Sequence, residues 1–236
     1  MLTWFISDLH LDPSRPAVIE LAQRFLSTTA KGAEHVYILG DLFEYWLGDD
    51  SPRHGLEPVL EAFTALTQSG TKITFMHGNR DFLIGNEFAS QYNIDLITGD
   101  EQVIDLHGTP TLIMHGDTLC TDDHDYLKFR TLVRDPSWQE NILSQTLEER
   151  IQFVGKLRTI SQGAMQEKTS DIMDANQTAV EETMTRHGVS QLIHGHTHRP
   201  AVHAHHTGQR WVLGEWTDHA KVLRCSSTDM ALITFR

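Results

Sequence analysis

Along the first half of the chain, short apolar runs alternate with stretches of helical period. TWFIS (3–7), HVYILGD (35–41), KITFMHGN (72–79) and TLIMHGD (111–117) read as strands that stay apolar until their last residues. Between them AVIELAQRFLSTT (17–29), opened by Pro16, and LEPVLEAFTALTQSG (56–70), stopped by Gly70, place apolar residues at helical spacing. Strands alternating with helices predict an α/β fold, a layered sheet with helices on its faces. From 125 to 187 the pattern changes. YLKFRTLVR (126–134), ENILSQTLEERIQFVGKLRTIS (140–161) and SDIMDANQTAVEETMTRH (170–187) are all helical in period, with no strand candidate among them. The sheet resumes at SQLIHGHTHRP (190–200), and WVLGEW and MALITF read as late antiparallel strands. The expected organisation is a core of residues 1–124 and 188–236, carrying a helical insertion at 125–187 that forms a lid.

Five of the strands end in polar clusters: SDLH (7–10), LGDLFE (39–44), HGNRD (77–81), HGD (115–117) and HGHTH (194–198). In α/β sheets ligands sit beyond the carboxyl ends of the strands, so the five clusters are expected to converge. The strand period of two predicts that Asp8 and His10 share a face, and likewise His196 and His198. Gly40, Gly78, Gly116 and Gly195 are expected to supply sharp turns. Asp8, His10, Asp41, Asn79, His115, His196 and His198 form a mixed oxygen and imidazole donor set without thiolate. Such a set suits Mn, Fe or Zn. Seven donors exceed the needs of one ion. With one bridging carboxylate they satisfy two, roughly 3.5–4 Å apart, as in hydrolytic phosphoesterases.

Composition narrows the function classes. Lys+Arg 19 against Asp+Glu 32 gives a net charge of -13, which argues against nucleic acid as a partner. Cys120 and Cys225 are too few for a disulfide framework, and Cys120 is expected to pack as a small hydrophobe. The N-terminus lacks the basic segment of a signal peptide and no apolar run reaches membrane-span length, so the chain reads as cytosolic. His203, His205 and His206 read as a polar strand edge; His77 and His194 are expected to orient ligands from behind.

The series D-x-H, GD, GN-R-D, H and GHTH resembles the calcineurin-like metallophosphoesterase superfamily over nearly the whole chain, which implies a two-sheet β sandwich flanked by helices. ISDLHL, YILGDLFEYWLGDD, HGNRDFLIG, LIMHGDTLCTDD and LIHGHTHRPAVH are more closely similar to the UDP-2,3-diacylglucosamine diphosphatase family of lipid A biosynthesis. That resemblance implies one ion held by Asp8, His10, Asp41 and His198. A second would be held by Asp41, Asn79, His115 and His196, both ions most often being Mn2+. It further implies water attack on the α-phosphorus of UDP-2,3-diacylglucosamine, giving UMP and 2,3-diacylglucosamine 1-phosphate, with Asn79, Arg80 and His196 at the reacting phosphate. Many superfamily members have histidine where this chain has Arg80. Arginine cannot act as a general acid at neutral pH, but its fork can hold two phosphate oxygens. Asp81 is expected to anchor the loop.

Asn79, Arg80, Asp123, Ser161, Lys168 and His196 match the family's substrate-binding positions, and Arg158 is expected to add a phosphate contact. Met165 stands where the family has asparagine, so that position is not carried over. In the insertion Leu127, Phe129, Leu132, Val133, Trp138, Ile142, Leu143 and Leu147 are interleaved with Lys128, Arg130 and Arg134; Arg150, Lys156, Arg158 and Lys168 follow. An apolar surface rimmed by cations suits an acylated, phosphorylated substrate. It also suits peripheral contact with lipid at the cytoplasmic face of the inner membrane. No obligate protein partner is evident. A phosphoesterase of soluble substrates would share the metal ligands without needing an apolar cleft. A non-catalytic scaffold on this fold would normally have lost a ligand.

Overall fold

Alternation of side chains within the strands decides how the chain layers. A computed structural model describes residues 2–156, 172 and 174–236. One sheet holds six strands: β1 (Leu2–Ile6), β2 (His35–Leu39), β3 (Lys72–Met76), β4 (Asp95–Ile97), β10 (Ala220–Ser226) and β11 (Met230–Phe235), in the order β11-β10-β1-β2-β3-β4. The other holds β5 (Glu101–Leu106), β6 (Thr109–Met114), β7 (Gln191–His194), β8 (Ala201–His205) and β9 (Gly208–Val212), in the order β5-β6-β7-β9-β8. The sequence reading missed β4, β5 and β10. β4 has three residues, and β5 alternates its apolar residues with Gln and Asp at an exposed edge. In β10, Lys221 and Arg224 break the apolar run. WVLGEW also needs correction, because its strand β9 runs parallel to β7 and antiparallel only to β8.

On β1, Phe5 joins Leu39, Met76, Leu112, Met114, Leu192 and Leu223 in a core shared by the two sheets. Trp4 and Ile6 turn the other way, onto α1 (Pro16–Arg24) and α2 (Glu57–Gln68), where Val18, Ala22, Val59 and Phe63 complete a second core. The helix containing α1 widens at Phe25–Thr29, where Ala30 N bonds Phe25 O. A third helix, α3 (Asn86–Tyr92), closes that layer.

In the 125–187 stretch lie α4 (His124–Val133), α5 (Pro136–Leu143), α6 (147–156) and α7 (Gln177–His187). The continuous helix expected over 140–161 breaks at 144–146. There Thr146 and Glu149 bond each other's backbone N–H groups in a capping box that starts α6. Asn176 caps α7 through Thr178 N and Ala179 N. Val180 and Met184 of α7 are fully buried in the core of the two sheets.

Because β1, β2 and β3 pair in parallel register, as do β6 and β7, their carboxyl ends open on one edge of the sandwich. Met184→Ala is expected to lower unfolding stability by about 2–5 kcal/mol. Leu132→Ala, at a position 55% exposed, is expected to change it by no more than about 0.5 kcal/mol. Urea unfolding of the two variants compares them directly.

Candidate metal centre

The strands stop before the ligands begin. β1 ends at Ile6 and β7 at His194, so Asp8, His10, His196 and His198 are not strand residues. They converge by another device: Asp8 (φ 56), His10 (φ 48), Asp41 (φ 51), His196 (φ 65) and His198 (φ 54) all adopt the left-handed region. Each such residue costs on the order of 1–3 kcal/mol and persists only where surrounding bonds enforce it. Those bonds are present. Asp8 N donates to Gly40 O at 3.1 Å, His10 N to Asp41 O at 3.0 Å, and Gly195 N to His115 O at 2.9 Å. Gly40 and Gly116 do take positive φ. Gly78 and Gly195 are needed for space instead: a Cβ would strike the carboxylate of Asp41 at the first and of Asp8 at the second.

All seven predicted donors meet. Asp8, Asp41, His10 and His115 are buried, and His198 is the exposed member. One ligand atom each from Asp8, His10 and His198 lie within 4.8 Å of one another, and so do those of Asp8, Asp41 and His115. Asp41 reaches both sides, with Oδ1 3.7 Å from His115 Nε2 and Oδ2 3.8 Å from His10 Nε2. Asn79 Oδ1 lies 2.9 Å from both His115 Nε2 and His196 Nδ1. His10 Nε2 and His198 Nε2 face each other at 3.4 Å. Imidazole nitrogens turned toward one another among buried carboxylates are donors arranged around cation positions, and the set is hard and borderline in character. The residues therefore fit divalent ions.

The surroundings pull the titrating groups apart. Burial opposes ionisation of Asp8, yet its bond to His198 and the charges of His115 and His10 hold its carboxyl well below the usual range. Burial also disfavours the His198 imidazolium, but Asp8 and Glu215 push its pKa up to about 10. Burial, reinforced by His115, pushes His196 down to about 4. Asp81 anchors its loop as expected, accepting Gly78 N at 2.9 Å, Leu42 N at 2.6 Å and Phe43 N at 3.3 Å.

Arg80 stands at the rim. Its backbone N donates to Asp41 Oδ1 at 2.9 Å, and its side chain is 26% exposed. Asp123 is the N-cap of α4, accepting Tyr126 N at 3.1 Å. Arg158, Ser161, Met165 and Lys168 lie outside the described residues.

The expected cationic rim is revised. Arg130 Nε bonds Asp117 at 2.7 Å, Arg134 donates to Gly78 O at 2.8 Å, and buried Arg150 binds Leu47 O and Asp50. Arg130 and Arg134 tether the insertion to the site loops, and Arg150 tethers it to the 47–50 segment. Of the apolar residues beside them, Val133 and Ile142 are buried, whereas Phe129, Leu132, Leu143 and Ile151 are exposed. His77 bonds Ile84 O at 2.7 Å and His194 bonds Gly195 O at 2.8 Å, so both brace loops rather than ligand side chains. His203 and His205 lie on β8, an edge strand.

Sequence reasoning missed Glu44 and Glu215. Glu44 Oε2 lies 3.1 Å from His10 Nδ1, and Glu215 Oε2 lies 3.3 Å from His198 Nδ1. Glu44 closes the quoted LGDLFE cluster and was legible there as an acid; nothing local to Glu215 marks it. Tyr126, whose hydroxyl bonds Asp117 and whose ring stacks 6.0 Å from that of His196, was also missed.

Residues 1–200 match the model of the calcineurin-like phosphoesterase family. A UDP-2,3-diacylglucosamine hydrolase of Stenotrophomonas maltophilia (strain K279a) is 46% identical over 245 residues, covering 99% of this chain and 98% of that one. Another UDP-2,3-diacylglucosamine hydrolase, from Xanthomonas campestris pv. campestris (strain 8004), is 45% identical over 243 residues, with 98% of each chain covered. Among solved structures, an archaeal phosphodiesterase shares the fold with a TM-score of 0.50 at 16% identity, covering 99% of both chains. Likeness to the curated relatives spans nearly the full length of each chain, and the chain belongs to the calcineurin-like phosphoesterase family, in the group of the UDP-2,3-diacylglucosamine hydrolases.

Proposed function

We propose that this chain hydrolyses the pyrophosphate bond of UDP-2,3-diacylglucosamine by water attack on the α-phosphorus, releasing UMP and 2,3-diacylglucosamine 1-phosphate. The observation that carries the reading is the convergence of His115 Nε2 and His196 Nδ1 on Asn79 Oδ1, beside the buried Asp8–Asp41 pair. The names of the curated relatives supply the substrate. Asp8, His10, Asp41 and His198 would hold one divalent ion, and Asp41, Asn79, His115 and His196 the other, both most often Mn2+. Asp41 is suited to the shared position because its two oxygens face His115 and His10. Bound divalent ions supply a lowered water pKa and offset the charge that gathers on phosphoryl oxygens.

The remaining roles fall to side chains. Arg80, fixed through its backbone to Asp41, presents a fork that holds two oxygens of the diphosphate in line. The leaving phosphate is already a good anion, so no proton donor is needed at this position. Asp123 faces the uridine or glucosamine polar groups, with Arg158, Ser161 and Lys168 contributing from the insertion. The insertion, 125–187, acts as a lid over the core, and its exposed Phe129, Leu132, Leu143 and Ile151 suit acyl chains. They also suit peripheral contact with the cytoplasmic face of the inner membrane. Among the described residues no helix is long and apolar enough to cross a membrane.

Purified protein offered UDP-2,3-diacylglucosamine is expected to release UMP with Mn2+ and to stop when a chelator removes it. Brisk hydrolysis of a soluble phosphodiester with no UMP would sink the lipid assignment. Asp41→Ala removes a group that faces both ion positions, several kcal/mol of transition-state stabilisation, and is expected to cost about a thousandfold or more in kcat. Arg80→Lys keeps the charge but loses the fork, and is expected to lower kcat/KM by about ten- to a hundredfold. Steady-state kinetics with the radiolabelled substrate reads both.

A further inference from the structure

We propose that Glu44 is a positioning residue that holds the metal-facing His10 and the phosphate-facing Arg80 in one arrangement, an inference that rests on the two-ion reading above. The backbone brings it there. Phe43 bridges to Leu11, and Glu44 N donates to Leu11 O at 3.1 Å, so Glu44 runs beside the loop that carries His10. Its two oxygens then divide. Oε2 lies 3.1 Å from His10 Nδ1, close but not aligned for a hydrogen bond, and Oε1 lies 3.9 Å from Arg80 Nη1.

The two distances imply two jobs. A carboxylate acceptor this close to Nδ1 favours the proton on that nitrogen and leaves the Nε2 lone pair facing Asp41 Oδ2 and His198 Nε2, where an ion would sit. The contact to Arg80 exceeds hydrogen-bond length. It draws the guanidinium toward the ligand cluster and leaves the fork's donors available to phosphate oxygens. Glu44 thus links a ligand on the first loop to a phosphate-binding side chain on the third, and its side chain is only 20% exposed.

Mn2+ titration calorimetry on the full chain tests the first job. Glu44→Ala is expected to weaken Mn2+ binding by about ten- to a hundredfold. Glu44→Gln, which retains an acceptor for Nδ1, is expected to stay within about threefold of the unmodified protein. If the alanine variant does not fold, Glu44→Leu fills the space without an acceptor and takes its place. Kinetics at saturating Mn2+ test the second job. Glu44→Gln should raise KM, and its effect should shrink once Arg80→Ala is also present. A folded Glu44→Ala protein with unchanged Mn2+ affinity, or a Glu44→Gln effect fully additive with Arg80→Ala, overturns the proposal. Calorimetry needs no substrate, so a wrong substrate assignment would leave the Mn2+ result standing. An unmodified chain that binds no Mn2+ would overturn the two-ion reading together with the role of Glu44.

Discussion

Asp8 and Asp41 are carboxylates with almost no access to water, at 0% and 2% exposure. A buried carboxylate stays ionised only where donors and cations replace its hydration, and without them the cost is several kcal/mol. Much of the site answers that demand. Asp8 takes His196 N at 3.1 and 3.0 Å on its two oxygens and pairs with His198; Asp41 takes Arg80 N and pairs with His10 and His115. Each carboxylate thereby ties its own loop to another one. The close approach that leaves no room for a Cβ at Gly78 and Gly195 follows from the same seating of oxygen against backbone.

Charge is distributed with economy around this centre. The chain is strongly acidic, yet among the described residues of the insertion Arg130, Arg134 and Arg150 have acidic or carbonyl partners close by. Arg130 meets Asp117 and Asp100, Arg150 meets Asp50, and Arg134 caps the carbonyl of Gly78 while lying 5.4 Å over the Phe82 ring. Two of the partners, Asp117 and Gly78, sit on loops that carry converging donors. Packing of α4 is therefore coupled to the geometry of the GNRD and HGD loops, and that of α6 to the 47–50 segment. A pair buried on one side, such as Arg150 with Asp50, fixes position more than it adds stability, because desolvation offsets much of the attraction.

Strands were legible where both faces are covered. β1, β2, β3, β6 and β7 are central in their sheets, and a strand buried on both sides must be apolar without interruption. β5 escaped notice because one face meets water and β4 because it is very short, whereas the edge strand β11 was read from its apolar MALITF run and the inner β10 was lost to Lys221 and Arg224. The split into two sheets was not visible in the periodicity, which is identical whichever sheet a strand joins; it entered only through the family resemblance. The start of α6 did have a local signal, the T-x-x-E of Thr146 and Glu149, which the helical period of the flanking residues obscured.

Residue type and order along the chain were enough to single out the seven groups that converge, because two acids, an amide and four imidazoles following apolar runs have few other physical explanations. Their orientation was not encoded so locally. Asp8 and His10 were expected to share a face through strand pleating, whereas they converge because left-handed backbone is held by bonds to Gly40 and Asp41 on the next loop. The same limit hid Glu215 behind His198 and the tethers of Arg130 and Arg150. A sequence states which groups can bond and how many bonds they can make. Which carboxylate meets which cation depends on chain crossings such as the 100 residues between Asp50 and Arg150, and those are settled only when the layers pack.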